Sequence, residues 1–286
     1  MAALPPYAYA SLPLILVSLW HAICSCRSYG RSSSLFYART WHPLPRLRYG
    51  ELLAELLVLS GAAAYHAIAV SHMQTGSTSQ ILGLQQLLML IFFMGALFLT
   101  LISEATIALP LPSDANFLLL GVAFSMECFV ALCSASDRQL ALELESFRIL
   151  GALAAFSAFT CFILAWRPSS ILATITFSAS LALQGSWLLQ LGFSLYSDSF
   201  LPEGCHHLSN GYTQCDIDLA KIRAVAIMDL ALIIHVLVVI FVFAFVYALA
   251  SRGTGYRRNS GYEAMDANGE SDHLQMKPLS TKVVID

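Results

Sequence analysis

The sequence predicts an all-α, polytopic membrane protein built as a bundle of seven transmembrane helices. Hydrophobic residues make up 57% of the 286 residues and charged residues only 12%, whereas a typical soluble domain contains about 25% charged residues. The mean hydropathy is +0.69. Seven apolar stretches approach the length of about 20 residues that a helix needs to cross a bilayer. This composition argues against a soluble enzyme, a disordered chain and a nucleic-acid-binding protein, so we expect the lipid bilayer as the main partner.

The predicted spans cover residues 9–24, 50–70, 79–102, 115–134, 146–166, 170–195 and 223–250. The first span is short, but no basic residue precedes its apolar run, so we interpret it as a span rather than a secretory signal peptide. A three-residue interval containing Pro168 separates the fifth and sixth spans, and proline there ends a helix and favours a tight turn. We therefore predict a transmembrane domain at 1–250 and a disordered cytoplasmic tail at 251–286, which is polar and lacks an apolar helical stripe.

The distribution of basic residues predicts the orientation of the bundle. With the N-terminus outside or lumenal and the C-terminus cytoplasmic, eleven of the 15 Lys and Arg residues are cytoplasmic. In this orientation the longest outward loop, 196–220, holds Cys205 and Cys215. An outward loop of the secretory pathway lies in an oxidising compartment, which favours a disulfide between them; two unpaired thiols are the alternative.

Polar side chains at membrane depth are costly and usually face protein or water. In helices of alternating direction, most of them fall in the outward half of the bundle. These residues are His66, Gln85, Gln86, Glu127, Arg148, Gln184, Gln190, Asp229 and His235. We expect them to form a polar cavity for a small ligand, ion or solute, with Glu127 at its centre because a carboxylate near mid-depth must be protonated, paired or hydrated. The alternative is that the glutamines and His235 form ordinary hydrogen bonds between packed helices.

The inward half carries fewer ionisable groups. His21 lies near the end of the first span, Glu104 lies just beyond the third, and Glu51 and Glu55 lie at the start of the second. The two glutamates are four residues apart and therefore share one helix face. The basic and aromatic loop at 27–49 is interpreted as a segment that contacts anionic lipid headgroups.

Several functional motifs do not occur in the sequence. The seventh span lacks the lysine that a retinal-binding opsin needs. The sequence also contains no glycine-rich phosphate loop, no His-Glu-x-x-His zinc motif and no serine nucleophile elbow. We therefore expect neither a cofactor nor a metal, and a non-enzymatic function is favoured. In the tail, Tyr262 and Met265 form a pattern similar to a sorting signal that docks onto an adaptor.

The segment Leu183–Tyr196, LQGSWLLQLGFSLY, resembles the signature of the transmembrane protein 45 family, which has plant and animal branches and is also filed as a domain of unknown function. Glu55 with Gly61, and Glu127 followed by Arg138, support a resemblance that covers about residues 7–250. The resemblance implies a seven-helix protein of endomembranes (Golgi, endosome or vacuole) or of the plasma membrane, with no established molecular activity. Plant members of the family are linked to pathogen responses.

Many members of that family carry histidines at five positions that are not histidine in this chain. The matching residues are Gln85, Gln86, Ser134, Ser136 and Ser146. The chain is thus identified as a His-poor member, and His66 with His235 would by themselves make a poor metal site. Two alternative functions stay open: an intramembrane metal-dependent hydrolase, and a trafficking or scaffold protein that acts through its tail.

Overall fold

The structure, a computed structural model, describes residues 4–252 apart from 45, 108, 138–139, 198–199 and 208–212. Its helices are α1 Leu4–Arg31, α2 Gly50–Ser71, α3 Thr78–Ala105, α4 Ser113–Ser136, α5 Ala141–Trp166, α6 Ile171–Tyr196 and α7 Asp218–Arg252. Two short strands, β1 Cys205–His207 and β2 Thr213–Cys215, pair antiparallel between α6 and α7. All seven helices are long and apolar enough to cross a bilayer, which confirms the predicted fold class. Arg138, Tyr262 and Met265 lie outside the described residues.

Most helices extend beyond the spans predicted from hydropathy. The largest difference is in α1, which begins at Leu4 and continues to Arg31. The apolar window ends near Cys24, but no proline follows it within the helix, so the backbone hydrogen bonds continue through the polar residues. α5 begins at Ala141, five residues before the predicted start, because its first turn is buried at Leu142 and Glu143.

α6 forms the centre of the bundle. It packs against α1, α5 and α7, while α4 packs on α5, and α3 lies between α2 and α4. Trp187 on α6 is fully buried, and its indole N–H donates to the Ser146 carbonyl oxygen over 3.2 Å. At Gly185 the α1 and α6 backbones approach closely: a Cβ added there would lie 3.0 Å from the Ser11 carbonyl oxygen. The absence of a side chain at Gly185 therefore permits this helix contact.

The segment 32–49 between α1 and α2 folds over one end of the bundle, which we call the loop end. Phe36, Ala38 and Trp41 are buried there, and the Ala38 N–H donates to the Pro168 carbonyl oxygen over 2.7 Å in the turn between α5 and α6. The arginines of this segment are exposed, so contact with lipid headgroups stays a prediction for them. Phe36 and Trp41, by contrast, are buried and cover apolar ends of the helices, as Trp41 does at Leu52 and Leu97.

The β1–β2 hairpin packs at the opposite end of the bundle, which we call the hairpin end. Cys205 and Cys215 face each other across the two strands and form a disulfide. Thr213 is buried; its N–H donates to Glu143 Oε1 over 3.4 Å, and its hydroxyl donates to the Leu195 carbonyl oxygen over 3.3 Å. These contacts attach the hairpin to the start of α5 and the end of α6.

Candidate functional site

Glu127, the residue predicted to be the centre of an outward cavity, is paired inside the bundle. The Gln184 amide of α6, which is 1% exposed, donates a hydrogen bond to Glu127 Oε1. Ser157 of α5 donates to Ser180 Oγ over 3.0 Å and reaches Gln184 Oε1 at 3.4 Å. This network joins α4, α5 and α6, which favours the structural alternative for Gln184.

The other predicted cavity residues do not converge on Glu127. Arg148 Nη1 pairs with Glu145 Oε2 at 3.0 Å on the same helix. Gln190 donates to Ser194 Oγ over 2.9 Å, again within one helix, and His235 Nδ1 lies 2.8 Å from a backbone oxygen one turn earlier on α7. Three further predicted cavity residues form no hydrogen bond or ion pair with another described residue. They are His66, Gln86 and Asp229.

A pocket of about 360 Å³ lies between α3 and α4 and contains one predicted cavity residue, Gln85. Its lining is mostly apolar, in contrast to the polar cavity that the sequence suggested. The lining residues are Gln85, Leu88, Val122, Ser125, Met126, Phe129 and Val130. The amide oxygen of Gln85 is buried and has no hydrogen-bond partner.

Within the part of the chain that the structure describes, three side chains with metal-ligand atoms come together near the loop end, between α1 and α2. His21 comes from α1, and Glu51 and Glu55 come from the first two turns of α2. One nitrogen of His21 and one carboxylate oxygen of each glutamate all lie within 4.8 Å of one another. We call these three residues the His21–Glu51–Glu55 cluster. The four-residue spacing of the glutamates turns both towards α1.

Glu51 forms more hydrogen bonds than the other two members of the cluster. His21 Nε2 donates to Glu51 Oε1 over 2.5 Å. The indole N–H of Trp20 and the backbone N–H of His42 both donate to Glu51 Oε2 over 2.8 Å. His21 is 3% exposed and Glu51 is 6% exposed. Hydrogen bonds to an ionised carboxylate are stronger than neutral ones, so α1 and the 32–49 segment together hold this side chain in place.

Glu55 differs from Glu51 in having no partner that could balance its charge. It is half-buried and forms no hydrogen bond or ion pair with a described residue. Within the described ranges, no Lys or Arg forms an ion pair with Glu51 either. With both carboxylates ionised, the cluster has a formal charge of −2 when His21 is neutral and −1 when it is protonated.

His42 completes the surroundings of the cluster. Its ring lies edge to face against the ring of His21, with 5.1 Å between the centroids. Its Nε2 atom is buried and has no hydrogen-bond partner. Burial, together with the adjacent His21, lowers the pKa of His42 to about 4, so this imidazole is neutral at pH 7 and carries one unprotonated nitrogen.

The sequence analysis identified His21, Glu51 and Glu55 as inward groups but missed Trp20 and His42. Neither residue belongs to a motif. The only available signal was proximity in the chain, because His42 lies nine residues before Glu51 and Trp20 directly precedes His21. The bonds themselves depend on how α1, α2 and the connecting segment pack.

Seven helices that are long and apolar enough to cross a bilayer indicate a multi-pass membrane protein. Residues 113–248, which extend from α4 into α7, match a family described as a family of unknown function (DUF716). This match supports the assignment of that part of the chain to a family without a known activity. It does not include His21, Glu51 or Glu55. No curated protein matches the chain.

Proposed function

We propose that this protein is a non-enzymatic, cation-binding membrane protein and that the cation binds at the His21–Glu51–Glu55 cluster. One observation carries the proposal: two carboxylates and an imidazole place ligand atoms within 4.8 Å of one another, and no described Lys or Arg pairs with the carboxylates. The proposed site lies at the loop end, rather than in the half that contains Glu127.

The electrostatics of the cluster favour a bound cation. Two ionised carboxylate oxygens no more than 4.8 Å apart repel each other by at least about 3.5 kcal/mol at an effective dielectric constant of about 20. A cation that touches both oxygens replaces this repulsion with two attractions. Because His21 and Glu51 are almost fully buried, water screens these interactions less than it would at the protein surface.

The proposal is tested by the thermal unfolding of the purified full chain in a panel of chloride salts at constant ionic strength: Na⁺, K⁺, Mg²⁺, Ca²⁺ and Zn²⁺. We expect at least one cation to raise the unfolding temperature, because a ligand at 100 times its Kd stabilises the folded state by about 2.7 kcal/mol. Glu55→Gln should remove this increase. Glu145→Gln, which changes an exposed ion pair with Arg148, is the matched control. If no cation stabilises the wild type more than Glu55→Gln, the proposal is wrong.

We also propose that the N-terminus is outside or lumenal and the C-terminus cytoplasmic, so the cluster lies near the cytoplasmic side of an endomembrane or of the plasma membrane. The excess of basic residues on that side and the resemblance to the transmembrane protein 45 family support this proposal. An epitope after Asp286 should be accessible only from the cytosol, and an epitope at 208–212 only from the opposite side. Detection of both epitopes on the same side would contradict this orientation.

A second candidate function is the binding of a small membrane-soluble ligand in the pocket between α3 and α4. The unpartnered amide oxygen of Gln85 favours it, because a buried acceptor without a donor is costly and a ligand hydroxyl could satisfy it after a rotation of the amide. The volume lies within the usual range of ligand pockets. A photoreactive sterol with a free hydroxyl should label the wild type and Gln86→Leu more strongly than Gln85→Leu. Equal labelling of all three proteins would contradict this function.

The sorting motif in the tail is a separate proposal. If Tyr262 and Met265 bind an adaptor, Tyr262→Ala should change the ratio of surface to intracellular protein. Tyr262→Phe keeps the ring and tests whether binding depends on the tyrosine hydroxyl. An unchanged distribution for Tyr262→Ala would contradict the adaptor role.

A further inference from the structure

We infer that the cation of the His21–Glu51–Glu55 cluster is a divalent transition-metal ion of the Zn²⁺ class. Its ligands are His21 Nε2 and one carboxylate oxygen each from Glu51 and Glu55. The inference rests on the proposed function, that this cluster binds a cation, and names the chemical class of that cation.

The donor set distinguishes this class from other cations. An imidazole nitrogen is a ligand for Zn²⁺, Fe²⁺, Ni²⁺ and Cu²⁺, whereas Ca²⁺ and Mg²⁺ prefer six or more oxygen ligands. One histidine and two carboxylates supply three protein ligands. Three protein ligands leave a fourth coordination position of a tetrahedral zinc ion for water or another small molecule.

The geometry of the cluster requires only a small change to hold such an ion. In a tetrahedral zinc site with metal–ligand distances of about 2.0–2.2 Å, neighbouring ligand atoms lie about 3.4 Å apart. The three ligand atoms here lie within 4.8 Å of one another. A rotation of the Glu55 side chain would bring its carboxylate to the shorter ligand separation of a zinc site. His21 Nε2 and Glu51 Oε1, at 2.5 Å, must separate by about 1 Å, and the metal then takes the place of their hydrogen bond.

The contacts around Glu51 fix this side chain in an orientation suited to binding. Trp20 and the backbone of His42 occupy Glu51 Oε2, which leaves Oε1 as the atom that faces His21. Such outer hydrogen bonds orient metal ligands in many sites. The buried, unpartnered Nε2 of His42, on a ring packed against His21, is an independent observation. Buried polar atoms in folded proteins usually have a hydrogen-bond partner, so a water molecule or another species bound beside this ring would satisfy it.

The test uses the purified full chain in lipid nanodiscs after treatment with a chelator. Co²⁺, whose visible absorption reports coordination, is titrated in, and Zn²⁺ then competes with it. We expect one Co²⁺ per chain, displaced by Zn²⁺. His21→Gln and Glu55→Gln should each weaken binding at least 100-fold, and His42→Phe about 10-fold as a residue next to the ligands. His66→Gln on α2 and Glu145→Gln should bind as the wild type does.

The outcomes separate this inference from the proposed function. If Na⁺, K⁺, Mg²⁺ or Ca²⁺ stabilises the wild type through Glu55 but Co²⁺ and Zn²⁺ do not bind, the cation site stands and the transition-metal inference fails. If no cation binds, both fail. If Co²⁺ binds equally to wild type, His21→Gln and Glu55→Gln, the metal lies elsewhere and the inference is wrong. His21→Gln and Glu55→Gln each keep a polar side chain, and their metal-free unfolding temperatures show whether each variant is folded.

Discussion

Replacement of Glu51 by alanine should destabilise the protein strongly, whereas replacement by glutamine should not. Three hydrogen bonds end on this carboxylate, from His21, from the Trp20 indole and from the backbone of His42. Alanine leaves these donors without an acceptor at a position that is 6% exposed. Each buried donor without a partner costs about 1–3 kcal/mol, so for three donors we expect a loss of at least about 3 kcal/mol in the free energy of unfolding.

Glutamine keeps one oxygen at the same place. That oxygen can still accept from Trp20 and His42, while the new amide group can donate to His21 in its other tautomer. The expected loss is about 1 kcal/mol. At about 2–4 °C per kcal/mol for a chain of this size, Glu51→Ala should lower the unfolding temperature by about 10 °C, and Glu51→Gln by a few degrees.

The assay follows the reaction of buried thiols with a fluorogenic maleimide during heating, because Cys26 and Cys161 are buried and become accessible on unfolding. A chelator is present throughout, so metal binding does not contribute to the difference. Glu104→Ala, which removes an exposed carboxylate at the end of α3, is the control. If Glu51→Ala unfolds within 2 °C of Glu104→Ala, the described hydrogen bonds do not hold the loop end together.

Three further predictions test other parts of the bundle. Gly185→Leu should lower the unfolding temperature, because even a Cβ at this position would lie 3.0 Å from a backbone oxygen of α1. Gly95→Leu should be tolerated, because nothing lies within 4 Å of a Cβ added there. Similar stability of the two variants would refute the close contact. Unfolded but unreduced protein should react with five maleimide–polyethylene glycol molecules and reduced protein with seven, since Cys205 and Cys215 are bonded and five cysteines are free; seven additions without reductant would show that the bond is absent. Glu127→Gln should unfold near the wild-type temperature and Glu127→Ala at a lower one, by about 0.6–2 kcal/mol for the lost interhelical bond; equal stability of all three would show that this bond contributes nothing.

The sequence predicted the helices well because the length of an apolar segment is a local property. Each predicted span lies on one observed helix, and the errors are at the ends, as at the first turn of α5. There, burial of Glu143 beneath the hairpin, rather than hydropathy, sets where the helix begins. The paired Cys205 and Cys215 could likewise be expected from their short spacing within one loop that the sequence predicts to face outward.

The sequence also indicated half of the candidate site. Glu51 and Glu55 share a helix face by their spacing alone. Depth along a helix, however, does not determine the direction in which a side chain points. Arg148 and Gln190 each bond to a neighbour on their own helix, and neither forms a hydrogen bond or ion pair with Glu127.

Tertiary structure alone decided that His21 meets Glu51 and that His42 returns to cover both. The first two residues are 30 positions apart, and their contact depends on the rotation of α1 and α2 about their axes. The third depends on the path of the 32–49 segment over the loop end. Helix formation follows from hydropathy read residue by residue, whereas a site made by two helices and a loop depends on packing between segments, which no local pattern in the chain encodes.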